Sequence, residues 1–186
     1  MFAHLLCEKI MKKIGLLSDT HAYLDERIFE HFAQCDEVWH AGDWGSLETV
    51  KRLQAFKPLR GVWGNIDSHD IRTIFPEHNR FLIEDVKVWI THIGGYPGKY
   101  DAAVRPLIFQ QTPKLFICGH SHILKVKYDK SLDMLHINPG AAGKYGFHQV
   151  QTLVRFTIDG DKIADLEVIE LAENSKLKAE NKKQQC

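Results

Sequence analysis

Two histidines separated by one residue occur in the segment Cys118-Gly119-His120-Ser121-His122. An apolar run precedes them, which predicts that they lie at the end of a buried strand. The glycine would let the backbone turn tightly there or come close to a bound group. Taken alone, the segment favours a polar strand end with two hydrogen-bonded histidines, because a short motif is weak evidence without its context. The function of this segment therefore depends on what the other strand ends carry.

Four other predicted strands also end in side chains that could bind a metal. These strands run into Asp-Thr-His, Gly-Asp, Gly-Asn and His. In sheets of this kind, ligands bind beyond the carboxyl ends of the strands. Seven candidate ligands would then meet: Asp19, His21, Asp43, Asn65, His92, His120 and His122. Burying so many polar groups together without a cation would be costly, so the pattern predicts a metal site.

The number and type of the candidates indicate how many ions they would bind. Seven ligands exceed what one ion with open coordination positions would use, whereas two ions that share one carboxylate fit the number. Asp43 is the natural bridge. Imidazole and carboxylate suit manganese, iron, cobalt, nickel or zinc, and we favour manganese. The absence of thiolate among the candidates argues against a structural zinc site.

The elements that must position these residues alternate at first between strands and helices. Strands are predicted over 12–18, 37–42 and 58–64, with helices over 25–35 and 46–56. Units of this kind give parallel strands with helical crossovers.

Beyond residue 80 the pattern changes to hairpins, because charged or glycine-containing turns separate apolar strands. Hairpins are predicted over 80–92, 123–138 and 151–171, with a helix over 100–111 and a buried strand over 114–119. We expect one α/β domain over 12–171, made of two packed sheets with helices outside. Residues 1–11 form an N-terminal extension and 172–186 a polar tail in this interpretation; Met11 is an alternative start.

The order of the motifs, D-x-H, G-D, G-N, H and G-H-x-H, resembles that of the calcineurin-like metallophosphoesterases over roughly residues 12–158. It is most similar to their small, single-domain phosphodiesterase branch of bacteria and archaea. The resemblance implies a four-layer α/β/β/α fold, with two mixed sheets sandwiched between helices. It also implies that Asp19, His21 and His122 hold one metal. Asn65, His92 and His120 would hold the other, with Asp43 bridging.

The activity implied by the resemblance is hydrolysis of a phosphoester, most readily a phosphodiester. A hydroxide bridging the two metals would attack phosphorus in line. The Asn65 amide would orient the phosphate and stabilise its developing charge. Two alternatives remain open: a phosphomonoesterase acting on a nucleotide or phosphoprotein, and a non-catalytic scaffold like the retromer subunit of this fold. The complete ligand set favours catalysis.

The sequence departs from the family at its third motif. Many relatives have G-N-H-[ED], in which the histidine assists the leaving group, but this chain has Ile66 between Asn65 and Asp67. Isoleucine cannot donate a proton, so good leaving groups are favoured; the small phosphodiesterase branch also tends to lack this histidine. His69 could move in as a substitute, or it is simply a solvated loop histidine. Asp67 either hydrogen-bonds to a ligand histidine and orients it, or is a turn carboxylate.

Other residues carry weaker expectations. Trp44 is a candidate pocket wall, His40 a core histidine, and His148 a surface or structural one. The intervals between Asn65, His92 and His120 leave no room for a capping domain, which predicts an open, shallow site.

Composition limits the partners. Lys+Arg and Asp+Glu number 24 each, giving a formal net charge of zero, so no general affinity for nucleic acid is expected. Four scattered cysteines without a C-x-x-C pair suggest reduced thiols in a cytoplasmic protein. Neither a membrane span nor a signal peptide is predicted. We expect a small-molecule phosphoester substrate, and homo-oligomerisation stays open.

Overall fold

The computed structural model describes residues 11–171; the predicted extension, apart from Met11, and the polar tail lie outside the described residues. Within this range, the strands are β1 (Lys12–Leu17), β2 (Glu37–His40), β3 (Leu59–Gly61), β4 (His78–Ile83), β5 (Val86–Thr91), β6 (Gly95–Tyr96), β7 (Lys99–Tyr100), β8 (Leu115–Ile117), β9 (Lys125–Asp129), β10 (Met134–Asn138), β11 (Gln151–Asp159) and β12 (Lys162–Leu171). The helices of the same range are α1 (Arg27–His31), α2 (Leu47–Phe56), α3 (His69–Ile74) and α4 (Arg105–Gln110).

Most strands of this range belong to two five-stranded sheets. The first has the order β12-β11-β1-β2-β3 and the second β4-β5-β8-β10-β9. The strands β1, β2 and β3 are parallel, and so are β5, β8 and β10. The remaining neighbours are antiparallel; they include the three predicted hairpins. Each sheet is therefore mixed, and its parallel strands end at a common edge.

Apolar side chains between the two sheets form the main core. Ile14 and Leu16 of β1 belong to the same buried cluster as Val88 and Ile90 of β5. They are alternate residues of their strands, because successive side chains point to opposite faces of a sheet. Burying each such side chain contributes about 1.5–3 kcal/mol. This packing holds the two sheets face to face, so that their strand ends can build one site.

The helices cover the outer faces of the sheets. Ile28 of α1 and Leu53 of α2 pack in one cluster with Val38 of β2. On the other side, Ile108 of α4 packs in a cluster with Trp89 of β5. The layers therefore run helix, sheet, sheet, helix, and the predicted four-layer fold is confirmed.

The helices differ most from the prediction. Helix α1 has five residues instead of the predicted eleven, because the chain must enter β2 at Glu37, and the Asp36 carboxylate already accepts from the Lys13 N–H of β1 at 2.7 Å. Helix α3 was not predicted, since it buries only Ile71 and carries no periodic apolar pattern. Helix α2 begins as predicted, with the Ser46 hydroxyl accepting from the Thr49 N–H.

Within residues 11–171, no helix is long and apolar enough to cross a membrane. Cys35 and Cys118 are both buried and free of disulfides.

Candidate metal centre

The candidate ligands lie just beyond the carboxyl ends of parallel strands. Asp19 follows β1, Asp43 follows β2 and Asn65 follows β3 in the first sheet. His92 follows β5 and His120 follows β8 in the second sheet. Because the sheets pack face to face, these ends reach a common region between them.

Five of the seven candidates have a backbone conformation that residues with a side chain rarely adopt. Their φ angles lie in the left-handed region: Asp19 54°, His21 47°, Asp43 58°, His120 68° and His122 56°. Such a residue costs ~1–3 kcal/mol and persists only where its surroundings enforce it. The strain is concentrated at the residues whose side chains converge, which supports a functional role for them.

One group of converging side chains, which we name the Asp19 cluster, consists of Asp19, His21 and His122. Their donor atoms lie within 4.8 Å of one another. His122 Nε2 is 3.3 Å from Asp19 Oδ1 and 3.1 Å from His21 Nε2. Asp19 is fully buried, whereas both histidines are partly exposed. These three donor atoms could hold one metal ion.

A second group, the Asp43 cluster, consists of Asp43, His92 and His120, whose donor atoms also lie within 4.8 Å of one another. The Asn65 amide oxygen lies 3.1 Å from His92 Nε2, so it faces the same point. Asp43 and His92 are buried, but His120 and Asn65 are exposed. This cluster could hold a second ion, with one side open to solvent.

The carboxylate of Asp43 joins the two clusters. Its Oδ1 lies 3.2 Å from His92 Nε2, and its Oδ2 lies 3.8 Å from His21 Nε2 in the other cluster. The Ile66 N–H donates to Oδ1 at 3.2 Å and fixes the carboxylate. One oxygen thus faces each cluster, as a bridging ligand requires.

A hydrogen bond to the backbone directs Nε2 of His92 into the site. Its Nδ1 lies 2.8 Å from the Ala41 carbonyl, and so must carry the proton that it donates. Nε2 then faces the oxygens of Asn65 and Asp43. With a proton on Nε2 the ring is an imidazolium that pairs with Asp43, and without that proton Nε2 can bind a metal ion. A hydrogen bond from Nδ1 to a backbone carbonyl is also the usual support of a metal-binding histidine.

The pKa values of Asp43, His92 and His21 are shifted by burial and by the charges of the site. Burial opposes ionisation of Asp43, but His92 outweighs it and holds the pKa of the carboxyl below its usual value. Burial also disfavours the His92 imidazolium, yet Asp43 and Asp19 raise its pKa above the ordinary value. At His21, burial dominates and lowers the pKa. Imidazoles lie within ion-pair distance of Asp19 and Asp43, and imidazoles are neutral ligands when they bind a metal.

His148 has a role at the site that was not predicted. Its Nε2 donates to the Gly143 carbonyl at 2.8 Å, which leaves Nδ1 as the acceptor that faces His122 Nδ1 at 3.3 Å. This contact keeps the His122 proton on Nδ1 and its lone pair on Nε2. His148 is thus a structural histidine, as expected, but its position beside a candidate ligand was not foreseen. No motif or spacing signals the role, since His148 reaches the site only through the loop before β11.

Beneath the site, a buried hydrogen-bond chain supports the loop that carries Asp43. The Gly42 N–H donates to His40 Nδ1 at 3.1 Å, so Nε2 carries the proton and donates to the Thr20 hydroxyl at 3.0 Å. That hydroxyl donates to the Trp44 carbonyl at 3.1 Å. Burial lowers the pKa of His40 well below its usual value, which keeps the ring neutral. His40 is thus the core histidine that was predicted.

Trp44 is not the pocket wall that was considered from the sequence. Its ring is fully buried, stacked on His40 with centroids 3.7 Å apart and on Phe75 at 4.4 Å. Its indole N–H donates to the Val62 carbonyl at 2.8 Å. The residue is directed below the site because Asp43, the residue before it, turns its own side chain into the site.

Asp67 contacts backbone amides rather than a ligand histidine. Its carboxylate accepts from the Gly45 N–H at 3.0 Å and from the Gly64 N–H at 2.7 Å. Burial raises its pKa above the usual value. A Cβ on Gly64 would collide with Asp43, so this position needs glycine. These contacts match the turn-carboxylate alternative, and the turn joins the loops that carry Asp43 and Asn65.

The comparison with known families agrees with this geometry. The family model described as "Calcineurin-like phosphoesterase superfamily domain" matches residues 11–161. The chain belongs to this superfamily. A probable metallophosphoesterase of Methanothermobacter thermautotrophicus is 31% identical over 162 residues, which cover 84% of this chain and 91% of that protein.

Solved structures show the same fold for this phosphoesterase domain. An archaeal phosphodiesterase is 26% identical with a TM-score of 0.69, covering 86% of this chain and 99% of that one. Vps29 of Chaetomium thermophilum is 14% identical with a TM-score of 0.73, covering 89% and 91%. The predicted family and fold are both confirmed.

The surface around the centre of this phosphoesterase domain is apolar in places. Three candidate ligands are each followed by an exposed isoleucine: Ile66 (48% exposed), Ile93 (39%) and Ile123 (62%). Tyr145 is also exposed, and its ring centroid lies 5.4 Å from that of His21. His69, the considered substitute for the missing acid, is exposed at the start of α3.

Proposed function

We propose that this chain is a phosphodiesterase that uses two divalent metal ions, with manganese favoured. The observation that carries the proposal is the arrangement of six donor side chains in two clusters, with the Asn65 amide beside the second cluster and one oxygen of Asp43 facing each. Membership of the calcineurin-like phosphoesterases supports a hydrolytic activity on phosphoesters. The likeness to an archaeal phosphodiesterase supports the preference for diesters.

The residues are assigned to the ions as follows. Asp19, His21 and His122 would hold one ion, and Asn65, His92 and His120 the other, with Asp43 shared between them. When bound, two such ions activate a water nucleophile and neutralise charge on a phosphoryl group. Two ions and two carboxylates leave a local charge of about +2, which attracts an anionic substrate although the whole chain is neutral.

The chain's own groups position the substrate and set its leaving-group requirement. The exposed Asn65 amide lies beside His92 and can donate to a phosphoryl oxygen, where it stabilises charge that develops during the reaction. Ile66, the next residue, offers no proton. Help from a general acid, typically about 10²–10⁴-fold, is therefore missing at this position. Diesters with acidic alcohols, which leave without a proton, should be the best substrates.

The alternatives predict different behaviour. A phosphomonoesterase would hydrolyse monoesters at least as fast as diesters. A scaffold protein with the Vps29 fold would not need all seven donors to converge, and the likeness to Vps29 concerns the fold alone. The complete, convergent donor set favours catalysis over a purely structural role.

A metal-by-substrate panel tests the proposal. Metal-free protein is reloaded with manganese, iron, cobalt, nickel or zinc, its metal content is measured by elemental analysis, and aryl diesters are compared with aryl monoesters. We expect close to two ions per chain and faster hydrolysis of diesters. A stoichiometry that stays at one or below would contradict the dinuclear site, and faster monoester hydrolysis would contradict the diesterase.

A further inference from the structure

A cleft lies on the outer face of the second sheet, between the hairpin of β4 and β5 and the end of α4. Its volume is about 560 Å³, within the range of sites that bind small organic molecules. The described residues that line it include none of the seven candidate metal ligands. This outer cleft is therefore a feature separate from the metal centre.

Two cationic side chains of the hairpin line the outer cleft, Arg80 of β4 and Lys87 of β5. In the antiparallel pair, Arg80 lies opposite Trp89 and Lys87 lies opposite Leu82. Because alternate residues of a strand point to the same face, the two cations are diagonal neighbours on the outer face. Diagonal neighbours are about 7–8 Å apart, within reach of long side chains. Arg80 and Lys87 can therefore contact the same ligand.

The chain does not balance these two charges. Within residues 11–171, neither Arg80 nor Lys87 forms an ion pair, and no acidic residue is among the described ones that line the cleft. The Arg80 guanidinium is held by neutral groups: it lies 3.7 Å from the Trp89 ring centroid and donates to Gln111 Oε1 at 2.9 Å. A guanidinium has five N–H donors, so this bond leaves most of them for a ligand.

The indole N–H of Trp89 distinguishes this cleft from an ordinary basic surface. Trp89 lines the cleft but is only 1% exposed, and its buried Nε1 has no acceptor within residues 11–171. Toward the core, Trp89 packs in one cluster with Ile108 and Phe116, whose side chains offer no acceptor. Buried polar groups nearly always have a partner. An acceptor for this N–H would therefore come from a ligand in the cleft.

We propose that the outer cleft binds a small organic phosphate, a phosphoryl dianion joined to an apolar carbon group. Its three terminal oxygens would accept from Arg80, Lys87 and the Trp89 N–H, and its charge would balance the two cations. Arginine suits such a group because its N–H donors match phosphate oxygens in pairs. The carbon group would lie against Leu82, which is 63% exposed, and Pro113 in the wall. This inference does not depend on the proposed diesterase function.

Titration with benzylphosphonate, whose C–P bond resists phosphoester hydrolysis, tests the site. The full chain is loaded with zinc, which is diamagnetic, and its four indole N–H signals are assigned and followed by NMR. We expect a saturable shift of the Trp89 signal, which reports the outer cleft independently of any binding at the metals. Methylphosphonate, without the ring, should bind more weakly, and the neutral diethyl ester of benzylphosphonate should not bind. A Trp89 signal that does not move would overturn the inference, and equal affinity for methylphosphonate would overturn its apolar part.

Variants assign the binding to the three donors. Arg80→Gln and Lys87→Gln should each lower the affinity about tenfold, because a hydrogen bond to a charged group is lost. Trp89→Phe keeps an aromatic ring beneath Arg80 but removes the N–H, and should lower the affinity about fivefold; the backbone N–H signal of Lys87 follows the titration of this variant. Should Trp89→Phe fail to fold, the two variants at exposed positions still decide the inference.

The matched control is Lys127→Gln, which removes an exposed cation from β9, at the opposite edge of the same sheet. It should leave the affinity unchanged. Equal weakening by Lys127→Gln and Arg80→Gln would mean that the ligand responds to overall charge, which would overturn the site. Wild-type affinity in Trp89→Phe would show that the indole N–H does not bind the phosphoryl group and would also overturn the proposed geometry.

Discussion

The two clusters of the candidate centre differ in what holds their histidines. His92 of the Asp43 cluster is 3% exposed, and its Nδ1 donates to a backbone carbonyl next to β2. His122 of the Asp19 cluster has 16% of its side chain exposed, and its Nδ1 meets the side chain of His148 in a loop. One histidine is oriented by the sheet itself, and the other by a second side chain that is in turn held by a loop backbone.

This difference indicates how far each cluster is preformed before a ligand binds. The backbone that orients His92 belongs to the core, where movement would break the packing between the sheets. The support of His122 involves a surface loop, and local opening of such segments costs little free energy. We therefore expect the Asp43 cluster to be the more rigid metal site, and the Asp19 cluster to be the weaker and more adjustable one.

Asp43→Asn should have the largest effect, because it removes the charge that the two clusters share. We expect diesterase activity to fall by at least about 10²–10³-fold, as when one preorganised electrostatic group is lost. Both ions should bind more weakly, which elemental analysis and metal titration would measure. Activity close to that of the wild type, with two ions bound, would show that Asp43 does not bridge.

A comparison of His92→Ala with His122→Ala tests the difference between the clusters directly. Each variant should mainly weaken one ion, but their effects on folding should differ. His92→Ala leaves the buried Ala41 carbonyl without its donor, which costs about 1–3 kcal/mol of unfolding free energy. His122→Ala, at a partly exposed position, should cost much less.

Urea unfolding of the metal-free proteins measures this difference without any contribution from metal binding. Equal losses of unfolding free energy in the two variants would contradict the view that the core holds His92 whereas a surface loop holds His122. A larger loss in His122→Ala would reverse the comparison.

His148→Ala should weaken metal binding less than loss of a ligand side chain does. Outer partners of metal ligands typically change metal affinity by roughly 10–100-fold, and we expect a loss of that size at the Asp19 cluster alone. His148→Gln can still accept from His122 Nδ1 and should restore part of the affinity. His69→Ala, which removes an exposed histidine of α3, is the control. Equal weakening of both ions in His148→Ala would mean that the loop acts on the whole site.

The sequence was sufficient to predict which polar side chains converge, because their position follows from topology. Parallel strands place their carboxyl ends at one edge, and polar side chains at those ends are visible in the sequence. This reasoning identified the residues of both clusters before their side chains could be located. It could not identify His148, whose contact depends on how a loop folds back over His122. It also could not decide the role of Asp67, since its partners are backbone amides.

In the fold, too, some features follow from the local sequence and others depend on tertiary structure. The hairpin of β4 and β5 turns at Glu84 and Asp85 as predicted, because two apolar strands flank a charged pair. The capping hydroxyl of Ser46 is likewise a local signal. Helix α1 is shorter than its apolar pattern predicts, since the end of a helix also depends on where the next strand must begin. Local chemistry was predictable in these cases, and tertiary constraints were not.

Ile66→His should have the smallest effect, a gain confined to the Asp43 side of the site. The Ile66 side chain is 48% exposed, and its N–H donates to Asp43, so a larger polar side chain can be accommodated without disturbing the core. An imidazole there could protonate the leaving oxygen, as the histidine of the G-N-H-[ED] pattern does in relatives. We expect only part of the usual benefit of a general acid, a gain of about tenfold or less for alkyl diesters. Aryl diesters, whose leaving groups need no proton, should gain little.

The measurement is kcat/KM for one alkyl and one aryl diester, with metal content determined in each protein. Ile66→Gln is the matched control, because it adds a polar side chain that cannot exchange a proton near neutral pH. Equal gains in the glutamine and histidine variants would mean that polarity, not proton donation, limits the rate. No gain on the alkyl ester with both ions bound would mean that another group, such as His69, already supplies the proton or that proton transfer is not rate-limiting. In either case, the absence of a histidine at position 66 would no longer explain a preference for good leaving groups.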